Sequence, residues 1–146
     1  MVSLRSLAAG LVALPLASAM IAGVAPFTGT YQPTANSTFP VTFTAGGTKV
    51  VYFDLSVSFG LLTPADLATS NNNALGVPLQ KTLDMFALNA TNIFSQTTFD
   101  VPLPQSYFYN GPGDYILSAL VSGVNGVNPT LVPFHYILQL PFTASF

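Results

Sequence analysis

The chain has 146 residues, enough for one domain; half of them are hydrophobic and only 5% are charged. Its formal net charge of −2 argues against nucleic acid as a partner, because that binding depends on basic side chains that meet phosphate. With no Cys and one His, the chain cannot form a disulfide or a zinc site of the usual kind, so we expect no metal and no cofactor.

The first 19 residues have the layout of a secretory signal peptide. Arg5 supplies a basic start, Leu7–Leu16 is apolar, and Ala17-Ser18-Ala19 is an A-x-A cleavage pattern. Cleavage could also fall later, up to residue 25. The apolar stretch is shorter than the ~20 residues that a membrane span needs. We therefore expect a secreted protein, with no membrane span in the mature chain and one domain over residues 26–146.

Alternating residues dominate the start of the mature chain. A short edge strand is expected around Phe27–Tyr31, and two longer runs follow in Thr38–Phe59 on either side of Gly46-Gly47. The odd positions of both runs, Leu55 among them, are apolar, and Asp54 falls on the polar side; this period of two is typical of a half-buried strand. Because glycine tolerates the positive φ of a tight reversal, we expect Gly46-Gly47 to close an antiparallel hairpin.

The middle of the chain combines one helical turn with an ambiguous segment. Thr63–Ala68 is expected to be helical, since Thr63 can cap it and Pro64 loses no hydrogen bond at the first helical position. Val77–Leu88 fits either a helix or a strand, and we favour a strand because its neighbours are strands.

The remaining segments again alternate. We expect strands at Asn92–Leu103, Asp114–Val121 and Leu131–Ser145, with Ser122–Thr130 as the loop between the last two. About seven short antiparallel strands predict an all-β fold, an Ig-like or fibronectin-III-like β-sandwich.

Gly113-Asp114-Tyr115-Ile116-Leu117 resembles the start of the penultimate strand of Ig-like and fibronectin-type domains. Tyr115 matches the Tyr whose hydroxyl binds the backbone upstream, and Leu117 matches the core position that antibody domains fill with Cys. In layout and composition, the whole chain resembles small secreted fungal proteins with one cysteine-free Ig-like domain, loosely of the cell-wall-associated Kre9/Knh1 type. That resemblance implies an extracellular role and transfers no catalytic residue.

Three consecutive aromatics, Tyr107, Phe108 and Tyr109, are the candidate binding residues for a glycan or a partner protein. Exposed aromatic rings stack on sugars and anchor protein interfaces, although one or two of these rings could instead plug the end of the sandwich. Two N-x-[ST] triplets, at Asn36 and Asn89, are candidate N-glycosylation sites.

His135 is the sole histidine, and we expect its side chain to point outward from the last strand. No G-x-S-x-G motif accompanies it, so no catalytic residue is assigned and we expect no enzyme. The leading interpretation is a secreted, non-enzymatic domain that contacts a cell-wall polysaccharide, an extracellular protein or another copy of itself. A carrier of an apolar ligand held between the sheets is the alternative, and a hydrolase that uses His135 ranks below it.

Overall fold

Alternating apolar residues organise the chain into strands, and a computed structural model describes residues 18–48, 51–90, 95–127 and 130–146. The elements in these ranges are β1 (Ser18–Val24), β2 (Thr30–Tyr31), β3 (Thr38–Thr48), β4 (Val51–Leu62), α1 (Pro64–Thr69), β5 (Val77–Asp84), β6 (Thr97–Pro102), a 3-10 turn (Gln105–Tyr107), β7 (Gly113–Val127) and β8 (Thr130–Ala144).

The strands form two sheets, which confirms the all-β prediction. One sheet has the order β1-β3-β6 and the other has the order β2-β8-β7-β4-β5. The short β2 runs parallel to β8, and the other paired strands are antiparallel. The described part of the chain therefore has eight strands, three in the smaller sheet and five in the larger, rather than about seven. β5 lies at one edge of the larger sheet and β6 at one edge of the smaller.

Aromatic rings fill the space between the two sheets. Phe39 of β3 meets Phe142 of β8 with ring centroids 4.7 Å apart, and Phe43 of β3 meets Phe59 of β4 at 6.4 Å. All four rings are buried, and they belong to one core cluster that draws residues from both sheets. Inward-facing rings from two facing sheets therefore make the core, as the alternation predicts.

The predicted hairpin at Gly46-Gly47 is wrong. Both glycines lie inside β3, where they pair with Met20 and Ala19 of β1, and neither has the left-handed φ that a tight turn requires. A Cβ at Gly46 would lie 2.7 Å from the Cβ of Ala22, so the absence of a side chain lets β1 and β3 lie close together here. β3 and β4 belong to different sheets, and the reversal between them falls outside the described residues.

A β-bulge in β4 exchanges the faces of two side chains, Asp54 and Leu55, relative to the faces that the alternation predicts. The pairing of β4 with β7 shifts register between Asp54 and Ser56, so the extra residue exchanges the faces at this point. Asp54 is therefore fully buried and Leu55 is 40% exposed, the reverse of the sequence prediction.

The fold also includes a strand that overlaps the last two leader-like residues, Ser18 and Ala19, and continues past them to Val24. β1 pairs with β3, and its Ile21 is completely buried in the core. The domain interpretation from sequence began at residue 26 and so left this strand out. Residues 1–17 lie outside the described part of the chain, and the signal peptide stays a prediction.

Several local predictions are confirmed. Thr63 caps α1 in a capping box with Asp66, and Pro64 is its first residue. Val77–Asp84 is a strand, followed by turns.

The loop predicted over Ser122–Thr130 is wrong, because β7 continues to Val127. A Cβ at Gly123 would lie 2.5 Å from Cζ of Phe134. Glycine at this position therefore lets the ring of Phe134 pack directly against the backbone of β7.

Tyr115 makes the backbone contact that the resemblance implies. Its hydroxyl donates to the carbonyl of Gly111 at 2.9 Å and accepts from the amide of Asn110 at 3.1 Å. The ring is buried at the start of β7, the penultimate strand. Tyr115 therefore fixes the loop that precedes β7, which is the loop with the candidate aromatics.

Candidate functional site

The three consecutive aromatics point in different directions. Phe108 is only 6% exposed, and its ring packs edge-on against Tyr115 at 4.9 Å and lies 6.1 Å from Tyr31. It plugs the end of the two sheets, as the alternative interpretation expected of one or two of these rings. Tyr107 is half-buried and Tyr109 is 46% exposed, so two of the three rings reach the surface on either side of a buried anchor.

Tyr109 is held in place by the helix cap. Its hydroxyl donates to Oδ2 of Asp66 at 2.8 Å, and the same oxygen accepts from the hydroxyl of Thr63 at 2.7 Å and from the Thr63 amide at 3.2 Å. The hydrogen bonds from Thr63 and then from Tyr109 lower the pKa of Asp66. Desolvation, followed by the bond to Asp66, raises the pKa of Tyr109 to about 12. A charged carboxylate thus orients an exposed phenol.

The half-buried Tyr107 and the exposed Tyr109 each line an open cleft against the edge strand β5. Tyr109 shares its cleft with Asp66, Gly76, Leu62, Val77 and Pro78. Tyr107 shares a second cleft with Gln80, Lys81, Pro102 and Pro104. We call the set Val77, Pro78, Gln80, Lys81, Tyr107 and Tyr109 the tyrosine surface. It combines two aromatic rings with the side chains of a valine, a proline, a glutamine and a lysine.

A model of the Nis1 family matches residues 17–136, which is most of the chain. The chain belongs to the Nis1 family. This is a fungal family, which agrees with the fungal part of the sequence resemblance, whereas the Kre9/Knh1 part is not confirmed. A search of curated proteins finds no match. The Nis1 match begins just before β1 and includes the whole tyrosine surface.

His135 of this Nis1 family member is exposed on β8, as predicted. The register places it in one row across the sheet with Ser122, Ser56 and Asp84, a row that only the strand order reveals. Asp84 lies three strands from His135, or about 14 Å at the usual strand spacing. Its Oδ1 accepts from the amides of residues 86 and 87 at 3.1 and 2.9 Å. The carboxylate therefore does not orient the imidazole, as it would in a triad.

Both candidate glycosylation asparagines are exposed at turns. Asn36 lies in the turn before β3, and Asn89 lies in the turn after β5 with a φ of +53°. The third residue of the second triplet, at position 91, lies outside the described residues. Asn89 follows the exposed side chains of Phe86 and Leu88, so a glycan there would cover an apolar tip. Glycosylation itself stays a prediction.

Across residues 18–48, 51–90, 95–127 and 130–146, no three His, Cys, Asp or Glu side chains gather closely enough to hold a metal ion. Within the same ranges, no helix has the length and apolarity needed to cross a membrane. The tyrosine surface therefore remains the best-defined candidate site of this Nis1 family protein.

The link between Tyr109 and Asp66 makes a spectroscopic prediction. Replacing the carboxylate by an amide in Asp66→Asn removes the charge that disfavours tyrosinate, so the pKa of Tyr109 should fall below about 12, while the larger rise caused by desolvation stays. The change is measured by ultraviolet difference titration against the Tyr109→Phe variant, which isolates the signal of this residue. An unchanged titration in Asp66→Asn would show that the carboxylate does not hold the phenol.

Proposed function

We propose that this Nis1 family protein is a secreted, non-enzymatic extracellular domain that binds a protein partner through the tyrosine surface. The observation that carries this proposal is the placement of Tyr107 and Tyr109. Tyr109 is exposed and Tyr107 is half-buried against the core, and each lines a cleft beside β5, while Phe108 between them is buried and holds the loop. A rigid scaffold that presents aromatic side chains on a short loop is typical of recognition domains.

The chemistry of the tyrosine surface favours a protein as the partner. Interface cores are enriched in aromatic residues and depleted of charge, and tyrosine is among the residues that most often dominate binding energy. Here Asp66 and Lys81 are the charged residues that line the two clefts. The clefts meet β5 at different residues, so each can accept a separate side chain of a partner.

A polysaccharide remains the second class of partner to test. Sugars stack on exposed aromatic faces; Tyr109 supplies one exposed ring and Tyr107 a half-buried one. The two rings line separate clefts with no lining residue in common, which supports separate anchors more than one continuous platform. Self-association through the same surface is the third outcome that the test distinguishes.

The packing between the sheets supports contact at the exterior over carriage of an apolar ligand. Ring centroids from opposite sheets lie 4.7 and 6.4 Å apart at two places along the core, which is direct van der Waals contact. A ligand between the sheets would have to separate these rings. Native mass spectrometry of the purified protein tests the carrier alternative through a co-purified apolar molecule.

The fold detail supports an Ig-like, fibronectin-III-like assignment. The smaller sheet joins the first, third and sixth strands, and the larger sheet places the last two long strands beside β4. Tyr115 makes its backbone contact at the start of the penultimate strand, as in that class of domain. We propose that the protein is a cysteine-free member of this architecture.

Secretion is proposed from the leader-like residues 1–19 and from two exposed asparagine acceptors, Asn36 and Asn89. Attachment to the cell wall is one form that the extracellular location could take. Detection of the processed, glycosylated chain in the culture medium or the wall fraction tests this part of the proposal.

The test of the binding proposal begins with affinity capture of extracellular and cell-surface proteins on the immobilised mature chain. Once the partner is purified, Tyr107→Ala and Tyr109→Ala should each weaken its Kd at least about tenfold, since loss of an interface anchor costs ~1.4 kcal/mol or more. Tyr109→Phe should lose less, because it keeps the ring.

The matched control is His135→Ala, which removes an exposed ring on the outer face of the larger sheet and should leave Kd unchanged. Thermal unfolding of each variant verifies that the fold is intact. Glycan-array binding that disappears in the tyrosine variants would move the assignment to a sugar partner. Equal affinity of all variants for the purified partner would remove the tyrosine surface from the account.

A further inference from the structure

Asp54 is a buried carboxylate that the tyrosine surface does not use. It lies on β4 and has no exposed surface. Its Oδ2 accepts a hydrogen bond from the amide of Ile21 at 2.8 Å, while Oδ1 has no hydrogen-bond partner among the described residues. Burial raises the pKa of this carboxyl. A buried charged group with an unpaired oxygen is costly unless a counter-charge or another donor reaches it.

Asp54 is part of a contact that holds β1 against the larger sheet. It accepts the Ile21 amide, and the hydroxyl of Tyr136 on β8 donates to the Ile21 carbonyl. Burial and then the charge of Asp54 raise the pKa of Tyr136, so the carboxylate and the phenol lie near each other. Two side chains of one sheet therefore bind both backbone groups of a single residue in the edge strand of the other.

This contact lies immediately beside the predicted leader cleavage. The A-x-A pattern ends at Ala19, so a chain cut there begins at Met20, the residue before Ile21. Consecutive Cα atoms are about 3.8 Å apart, so the nitrogen of Met20 lies within roughly 6 Å of the carboxylate that binds the Ile21 amide. Since hydrogen-bonded and non-hydrogen-bonded pairs alternate along an antiparallel ladder, that nitrogen faces Gly46 of β3 in the uncut chain and turns toward Asp54 once it is free. In the uncut chain that nitrogen is a neutral amide; in the cut chain it is an ammonium group.

We propose that Asp54 is the binding site for the α-ammonium group of Met20, the amino terminus produced by leader removal. A leader peptidase and one water break the bond between the Ala19 carbonyl carbon and the Met20 nitrogen. The hydroxyl of water goes to Ala19, which becomes a carboxylate, and the Met20 nitrogen gains the protons of an ammonium. The inference depends on the leader prediction and is independent of the tyrosine surface.

Processing then supplies the counter-charge that the buried carboxylate lacks. The freed amino terminus anchors what remains of the first strand, residues 20–24, because the cut also removes Ser18 and Ala19 from their pairing with β3. A cut as late as residue 25 would delete Ile21 and remove the donor that Asp54 now has. The geometry therefore favours cleavage after Ala19 over the later positions.

The experiment compares the mature chain that begins at Met20 with the same chain acetylated at its amino terminus and with a chain that keeps residues 17–19. The free amine should raise Tm by at least about 3 °C over the acetylated form, which has the same strand, near pH 7. The chain that keeps residues 17–19 also keeps the pairs of Ser18 and Ala19 with β3, so its Tm measures the opposing contribution of those pairs. The same three forms are compared in the Asp54→Asn background, where the difference between the free and acetylated forms should disappear. Equal Tm for the free and acetylated forms of the unsubstituted chain would overturn the proposal.

An NMR titration of the Met20 amine gives a second readout that does not depend on the variant being stable. Pairing with Asp54 should raise the pKa of the amine above its usual range of about 7.7–8.0. The stability gain is then complete below that range and is lost as the pH rises through the raised value. The titratable groups near the site are Tyr136 on β8 and Tyr52 on β4, while β1 and the paired Gly123 add none. An amine that titrates in its usual range would also overturn the proposal.

Discussion

A chain that begins at Pro26 is expected to lose cooperative folding, whereas a chain that begins at Met20 is expected to keep it. The shorter chain lacks β1, and with it the fully buried Ile21 and the whole ladder between β1 and β3. Removing a buried Ile side chain alone costs about 2–5 kcal/mol, against a total stability of about 5–15 kcal/mol for a typical domain. Urea unfolding followed by circular dichroism measures the difference.

The intermediate control for this truncation is Ile21→Ala in the chain that begins at Met20. It keeps the backbone ladder and should lower the unfolding free energy while leaving a single transition. If the chain from Pro26 unfolded at the same urea concentration as the longer one, β1 would not belong to the core, and the domain would begin at residue 26 after all.

Phe39→Ala is expected to cost about 3–5 kcal/mol of unfolding free energy, the range for removing a large buried aromatic. Phe39 is completely buried, and its ring lies 4.7 Å from Phe27, 5.0 Å from Tyr31 and 4.7 Å from Phe142. It therefore connects both sheets and the segment before β3. The loss appears as a lower urea midpoint at an unchanged slope.

Phe86→Ala is the matched control, because it makes the same chemical change at a ring that is 78% exposed. Substitutions at such surface positions usually change stability by no more than about 0.5 kcal/mol. Similar losses at both positions would contradict the assignment of Phe39 to the centre of the core.

The alternation of the sequence predicted faces and strands, but not partners. It found β7 and the inward set Tyr115, Leu117, Ala119 and Val121, all of which are buried. A period of two says which side chains share a face and leaves open which strand lies alongside. The hairpin at Gly46-Gly47 failed for this reason, since β3 pairs with β1 and β6 instead of β4. The sequence did not predict β1 as a strand, because its apolar residues continue the leader-like stretch.

The two sites differ in how much the sequence could reveal. The run of three aromatics located the tyrosine surface, although only the packing against the core rings Tyr31 and Phe142 separates the buried Phe108 from its neighbours. The Asp54 site could not be found, because alternation put that residue on the wet face. One inserted residue at the β4 bulge reverses the faces, and a bulge leaves no reliable mark in a single sequence.

Hydrogen–deuterium exchange of the mature chain, with and without the purified binding partner, tests most directly whether this protein acts through the tyrosine surface. Protection is expected along β5 and in the loop with Tyr107 and Tyr109, and it should be absent with the Tyr107→Ala/Tyr109→Ala variant. Protection confined to another face, such as the row with His135 or the turn with Phe86, would contradict the account.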